Sequence, residues 1–313
     1  MDPAASADGG PVVLDGGLAT ELMARGHDLS DRLWSARLLQ RDPGAIEDVH
    51  LAYFRSGAQV AITASYQASI EGFAAVGVGR DEALELIRES VRLAQHARTR
   101  AVAEGVAGTP LVIAGSVGPY GAMLADGSEY RGDYDVSAER LAGRLADFHR
   151  PRMEALVEAG ADLLAFETIP TVREAEVLVR LLDDVDIGAW LSYSCRDAAS
   201  TSAGEPIEAA VALGDHPRIV AVGVNCTAPR FVPELLRRAG TATDRPLIAY
   251  PNGGDRWDPA ERRWVADPGG GFDPGSVATW TGLGATWLGG CCGTSPAEIR
   301  VLAEALAARP GDA

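Results

Sequence analysis

Cys291 and Cys292 are adjacent in the run Trp287-Leu-Gly-Gly-Cys-Cys-Gly-Thr-Ser-Pro, and Cys226 stands in Val222-Gly-Val-Asn-Cys-Thr-Ala-Pro. Each run is a short apolar segment that breaks into cysteine near Gly or Pro, the pattern of a buried strand that delivers thiols at its tip. Adjacent cysteines do not readily bridge each other, because a disulfide wants its Cα atoms about 5.5 Å apart with converging Cβ atoms. Three thiolates can instead hold Zn²⁺ and leave a fourth position open, as a catalytic zinc requires. The competing reading of a buried cysteine is a small hydrophobe. That reading suits the fourth, Cys195, better than the trio, whose members all end strands on the same face.

The elements that must position these thiols are eight short apolar runs. They begin at Val12, Gln59, Leu111, Asp162, Gly188, Ile219, Pro246 and Ala285. The runs are continuous rather than alternating, as expected of parallel strands covered on both faces. Between them lie amphipathic helices. Leu84, Ile87, Val91 and Ala94 recur at helical spacing within 81–104, Ser137 begins a second helix with Leu141, Leu145 and Phe148 on one face, and Pro296 opens the last. Eight strands alternating with helices predict a (β/α)8 TIM-type barrel. An open doubly wound sheet is the alternative, weakened by the lack of a G-x-G-x-x-G after the first strand.

Unusual polar residues come late in these runs: Asp15 in the first, Thr63, Ser65 and Tyr66 in the second, Ser116 in the third and Glu167 in the fourth. Cys195, Asn225 with Cys226, Tyr250 with Asn252, and the cysteine pair end the remaining four. In a barrel all of these face one mouth, and Cys226 meets the pair across a single strand. Bland readings exist for several: a helix cap for Asp15, a structural ion pair for Glu167, packing for Tyr66 and Tyr250. The histidines His50, His96 and His149 read as ordinary surface or helix residues rather than ligands. Two long connections on this face, 120–136 and 252–272, are candidate lids.

Bulk properties narrow the function. The chain has 313 residues and a net charge of −16, which argues against nucleic-acid binding. Lysine is absent, so arginine supplies every side-chain cation. That excludes Schiff-base catalysis and the Walker A phosphate loop. The start of the chain lacks the basic and apolar regions of a signal peptide, and no apolar run approaches the roughly 20 residues of a membrane span. With four cysteines and no disulfide framework, a reducing cytoplasm is the expected location. Residues 1–10 read as a flexible tail and 11–313 as a single barrel domain.

The Gly-Gly-Cys-Cys-Gly run, the Asn-Cys before it, and the opening Leu14-Asp-Gly-Gly-Leu-Ala-Thr-Glu-Leu resemble the homocysteine S-methyltransferases. The likeness continues through Ala61-Ile-Thr-Ala-Ser-Tyr-Gln-Ala-Ser, Ala114-Gly-Ser-Val-Gly-Pro-Tyr-Gly-Ala and Asp126-Gly-Ser-Glu-Tyr-Arg-Gly-Asp-Tyr, covering essentially 11–308. It looks most like the stand-alone branch that uses S-methylmethionine, and also S-adenosylmethionine, as donor. The resemblance implies a zinc barrel with Cys226, Cys291 and Cys292 as metal ligands, and Asp15 and Glu167 holding the amino group of homocysteine. Gly16 and Gly17 would offer N–H groups to its carboxylate, with Ser65, Tyr66 and Asn225 completing the substrate site. Tyr66, Tyr120, Tyr130 and Tyr134 are candidates to surround the cationic sulfonium. A betaine-type enzyme of the family carries Tyr where this chain has Gln67 and Thr168, which counts against betaine; a selenocysteine-type methyltransferase is a further alternative. From another class, a barrel with purely structural zinc conflicts with the missing fourth ligand. A zinc hydrolase usually employs His and carboxylate ligands.

Overall fold

The structure, a computed structural model, describes residues 10–29, 33–106, 110–254, 256–258, 263–265 and 274–308. All eight apolar runs form parallel strands: β1 (Val12–Val13), β2 (Val60–Ile62), β3 (Val112–Val117), β4 (Leu163–Ile169), β5 (Ala189–Tyr193), β6 (Ile219–Asn225), β7 (Leu247–Tyr250) and β8 (Ala285–Leu288). They pair in the order β1-β8-β7-β6-β5-β4-β3-β2. The ring is nearly closed by a parallel bridge from Leu14 to Val60 and by Asp15 N–H donating to the Val60 carbonyl at 3.0 Å. This is the (β/α)8 barrel expected.

Continuous apolar runs arise because each strand buries both faces. One face of the ring fills the barrel with Leu14, Val60, Val112, Trp190, Ile248 and Trp287, among others. The Trp190 and Trp287 rings meet edge-on, their centroids 5.9 Å apart. The other face packs on the helices through residues such as Ile113, Leu164, Leu191 and Leu288. The barrel is therefore a packed core rather than a pore, and function is confined to its ends.

Helices form at the expected places: Arg80–Ala103 buries Ile87, Val91 and Ala94, and Ala138–Glu158 buries Leu145 and Phe148. In Pro296–Ala307, Ser295 and Glu298 form a reciprocal capping box. His50 and His149 depart from the surface reading, since both are completely buried. Burial lowers the pKa of His50 to about 4.

The 120–136 connection is not a bare loop. It holds a short helix, Tyr120–Leu124, and a turn of 3-10 helix, Ser128–Tyr130. The other long connection lies partly outside the described residues; its described parts include an antiparallel ribbon of Arg256–Asp258 with Arg263–Val265. The expected tail also lies outside the described residues, apart from Gly10. Among the described residues no helix is long and apolar enough to cross a membrane.

Candidate metal and substrate site

The three cysteines meet. Sγ atoms of Cys226, Cys291 and Cys292 all lie within 4.8 Å of one another, a cluster able to hold a metal ion. All are free thiols, Cys226 buried and the pair half-buried. Cys226 follows β6 in the left-handed region, φ +46°, a conformation that costs a non-glycine residue on the order of 1 kcal/mol or more. Its surroundings hold it there. Cys226 N–H donates to the Tyr250 carbonyl at 3.2 Å, and Thr227 Oγ1 donates to the Asn225 carbonyl at 2.8 Å. Across the site, Cys291 N–H donates to the Pro251 carbonyl and Gly253 N–H to the Cys292 carbonyl, both at 2.7 Å.

The sulfurs respond strongly to one another. S–H donation from Cys291 and Cys292, helped by the Tyr130 hydroxyl, pulls Cys226 well below the ordinary thiol range despite its burial. The charge this places on Cys226 raises Cys291 and Cys292 well above it. One thiolate is therefore favourable and a second or third is not, unless a cation sits among them.

A cleft of about 680 Å³, measured out to its open mouth, adjoins the cluster. Gly16, Gly17, Tyr66, Tyr130, Glu167 and Thr168 line it together with the three cysteines. Glu167 is 6% exposed. It accepts from Ser116 Oγ and from the Tyr250 hydroxyl at 3.3 Å. Burial, reinforced by Cys291, raises its pKa to about 8. Asp15 is buried as well, and burial pushes its carboxyl well above the usual range, with Glu167 and Cys291 adding to the rise. Asp15 Oδ2 accepts from Ile62 N–H at 2.8 Å, while Oδ1 is buried with no partner. Neither acid is a helix cap or part of an ion pair among the described residues.

Of the other expected substrate residues, Tyr66 borders the cleft, whereas Ser65, Asn225 and Asp15 itself are not among the residues that line it. Ser65 Oγ donates to the Ser116 carbonyl at 2.7 Å. Asn225 braces Thr168, which sits in the left-handed region at φ +59°. Asn225 Oδ1 accepts from Thr168 N–H at 2.7 Å, and its Nδ2 donates to Thr168 Oγ1 at 2.8 Å. This kink shifts the β4–β5 register between Phe166 and Ile169, at the place where Glu167 reaches the mouth. Gly17 N–H donates to the Thr294 carbonyl at 3.0 Å, so it is not free for a substrate carboxylate. Among the four tyrosines expected around a sulfonium, Tyr66 and Tyr130 border the cleft, whereas Tyr120 and Tyr134 do not. Burial pushes both Tyr66 and Tyr130 hydroxyls well above the usual tyrosine range, so both stay protonated donors.

Two supports have roles the sequence did not indicate: Tyr130, expected only beside the sulfonium, and Arg152, not singled out at all. Tyr130 Oη lies 3.3 Å from Cys226 Sγ. Arg152, buried in the helix Ala138–Glu158, donates to the carbonyls of Ser65, Tyr66 and Gly118 at 2.8, 2.8 and 2.9 Å. Burial lowers its pKa to about 10, so it remains a cation and ties the ends of β2 and β3 together. A buried arginine on a helix leaves no sequence sign of the carbonyls it will meet.

A (β/α)8 barrel that gathers three sulfurs and a buried carboxylate beside a cleft at one mouth defines a barrel enzyme with a thiol-rich site. Comparison with known proteins agrees with that class. The family model of the homocysteine S-methyltransferases matches residues 12–306. Homocysteine S-methyltransferase 4 of Zea mays is 47% identical over 309 residues, covering 95% of this chain and 90% of that one. The metallated form of the homocysteine methyltransferase MmuM from Escherichia coli superposes with a TM-score of 0.84 at 45% identity, over 94% of this chain and 96% of that one. Its apo form superposes with a TM-score of 0.74 at 37% identity, over 94% and 95%. This chain belongs to the homocysteine S-methyltransferase family, and it is a methyltransferase.

Proposed function

We propose that Cys226, Cys291 and Cys292 bind Zn²⁺ and that the enzyme moves a methyl group from S-methylmethionine, or S-adenosylmethionine, to homocysteine, giving methionine. The observation that carries this reading is the meeting of three sulfurs beside a cleft that Glu167 also lines. Their mutual spacing, within 4.8 Å, suits tetrahedral zinc, whose Zn–S bonds of about 2.3 Å set sulfurs roughly 3.8 Å apart. An all-sulfur donor set favours zinc over magnesium or calcium. When bound, zinc keeps the substrate thiol deprotonated at neutral pH, where a free thiol with a pKa near 8.5 is mostly protonated.

The protein's residues do the rest by placement. Glu167 accepts the ammonium group of homocysteine, and the unpartnered Oδ1 of Asp15 is the second acceptor. The substrate thiolate attacks the donor methyl in line. The new S–C bond forms as the sulfonium bond breaks, and its electron pair returns to the donor sulfur as a neutral thioether. No proton is supplied, so no general acid is needed. The neutral rings of Tyr66 and Tyr130 border the cationic donor, and holding the two reactants in line lowers the barrier. Gly16 faces the same cleft near the substrate carboxylate. The free thiols suit a reducing cytoplasm.

The test is turnover of homocysteine with S-methylmethionine, S-adenosylmethionine and betaine in parallel, with selenocysteine as a second acceptor. The expected order is S-methylmethionine, then S-adenosylmethionine, with betaine inactive; metal analysis gives one zinc per chain. Equal or better use of betaine, or full activity after complete zinc removal, overturns the reading.

A further inference from the structure

We propose that Glu174, remote in sequence from the three clustered cysteines, is a positioning residue that seats the 120–134 segment on the sulfur site. Glu174 is completely buried at the start of the helix Val172–Leu181. Its sequence context, Thr171-x-x-Glu174, reads as a capping box. Only half of that box forms: Thr171 Oγ1 accepts from Glu174 N–H at 3.0 Å. The carboxylate turns instead to the segment that crosses the mouth. Oε1 accepts from Tyr120 N–H at 2.6 Å, and Oε2 accepts from the Tyr134 hydroxyl. One carboxylate thus holds both ends of the segment.

The segment between these points transmits that hold because it is bonded within itself. Gly132 N–H donates to the Ser128 carbonyl at 2.7 Å, and Ser128 N–H donates to Asp126 Oδ1 at 2.9 Å. The backbone folds so closely that a Cβ on Gly121 would lie 2.4 Å from Glu129 N. Tyr130 rides on this folded piece and reaches Cys226 Sγ at 3.3 Å. The anchor is itself fixed. His149 Nε2 lies within hydrogen-bonding distance of Glu174 Oε1, at 2.8 Å. The Phe148 ring packs edge-on against Tyr120, with centroids 5.1 Å apart. Hydrogen bonds to a buried charge are strong, and losing one partner leaves that charge short of a donor. The clamp therefore sets where Tyr130 stands relative to Cys226, without Glu174 touching either reactant.

This inference rests on Cys226 belonging to the working site, but its first test needs no turnover. Amide hydrogen exchange is measured on the purified full-length protein without substrates, for the parent, Tyr134→Phe, Glu174→Gln and Glu174→Ala. Exchange in 121–133 is expected to rise roughly tenfold in Tyr134→Phe. It should rise more in Glu174→Ala than in Glu174→Gln, which keeps one acceptor oxygen. Peptides from β3 and β5 should be unchanged. In turnover, Tyr134→Phe is expected to lower kcat and leave the homocysteine KM within about twofold, because Glu167 is untouched. Unchanged exchange in 121–133 in Tyr134→Phe and both Glu174 variants, or an equal rise throughout the barrel strands, overturns the proposal. A loss confined to homocysteine KM overturns it too.

Discussion

The sulfur half of the mouth, at the ends of β6, β7 and β8, is shaped by backbone. The carboxylate half, at the end of β4, is shaped by side chains. On the sulfur half, main-chain hydrogen bonds from Cys226, Cys291 and Gly253 link adjoining strand ends. The chains pass so closely that a Cβ on Gly253 would lie 2.4 Å from the Gly293 carbonyl oxygen. Only glycine fits such an approach. On the carboxylate half, Glu167 is placed by hydroxyls from Ser116 and Tyr250. Tyr250 in turn meets Ser192 at 2.6 Å and Trp190 Nε1 at 2.9 Å. Asn225 connects this network to Thr168. A backbone-made half fails all at once when a ligand is lost, whereas a side-chain network degrades one bond at a time.

The sharpest way to break this contrast is on the sulfur half. Cys291→Ser is expected to lose bound zinc and to lower kcat/KM on the order of 10³-fold or more. Both the thiolate population at pH 7 and the alignment of the reactants are lost together. Cys195→Ser should do neither, since Cys195 is a buried thiol whose pKa burial raises far out of range. Metal analysis beside kinetics checks both. Full zinc in Cys291→Ser removes that residue from the site.

On the other half the expected effect is smaller and of a different kind. Glu167→Ala should keep its zinc and raise the homocysteine KM by roughly ten- to a hundredfold, since a charge-assisted hydrogen bond is worth about 1.5–3 kcal/mol. A thiol without an amino group separates the roles, because variant and parent should then converge. If Glu167→Ala binds homocysteine as tightly as the parent, Asp15 carries the ammonium alone. If it loses zinc, the two halves are not independent and the contrast itself fails.

The same division explains what could be read in advance. The eight runs, their order and the barrel were legible because continuous apolar strands alternate with amphipathic helices. The cysteine pair was legible because close backbone passes write themselves locally, as Gly-Gly-Cys-Cys-Gly, and Cys226 joined it because it ends a strand on the same face. The roles of Ser65 and Asn225 were not. Both end strands, as substrate residues would, yet their polar atoms bond to neighbouring protein groups. Strand-end position fixes which end of the barrel a residue occupies, but not whether its side chain meets the cleft or a neighbour. Tyr250 read as packing for a related reason: its partners, Glu167, Ser192 and Trp190, lie 58 to 83 residues before it in sequence. His50 and His149, read as surface or helix residues, do stand on helices but face inward, because a histidine on a helix gives no sign of the face it will occupy.

The smallest effect tests whether the carboxylate half is a network in fact. Tyr250→Phe removes one oxygen and almost no volume. Three groups lose a partner: Trp190 Nε1–H its acceptor, Ser192 one of its bonds, and Glu167 one of its two donors. Ser192 retains Asn225 Oδ1 at 2.9 Å, so the indole N–H is left worst placed. An unpaired buried donor costs about 1–3 kcal/mol, and denaturant unfolding should show a loss of that size. Glu167 keeps Ser116, so its carboxylate shifts rather than leaves, and homocysteine KM should rise only a few-fold, well short of Glu167→Ala. Zinc content should be unaffected, because Cys226 bonds the Tyr250 backbone carbonyl, which phenylalanine also provides. A double variant, Tyr250→Phe with Glu167→Ala, decides the point. In a network the two changes share one interaction, and their combined effect on KM falls below the product of the separate ones. If the effects multiply in full, Tyr250 acts on stability alone, and Ser116 by itself places Glu167.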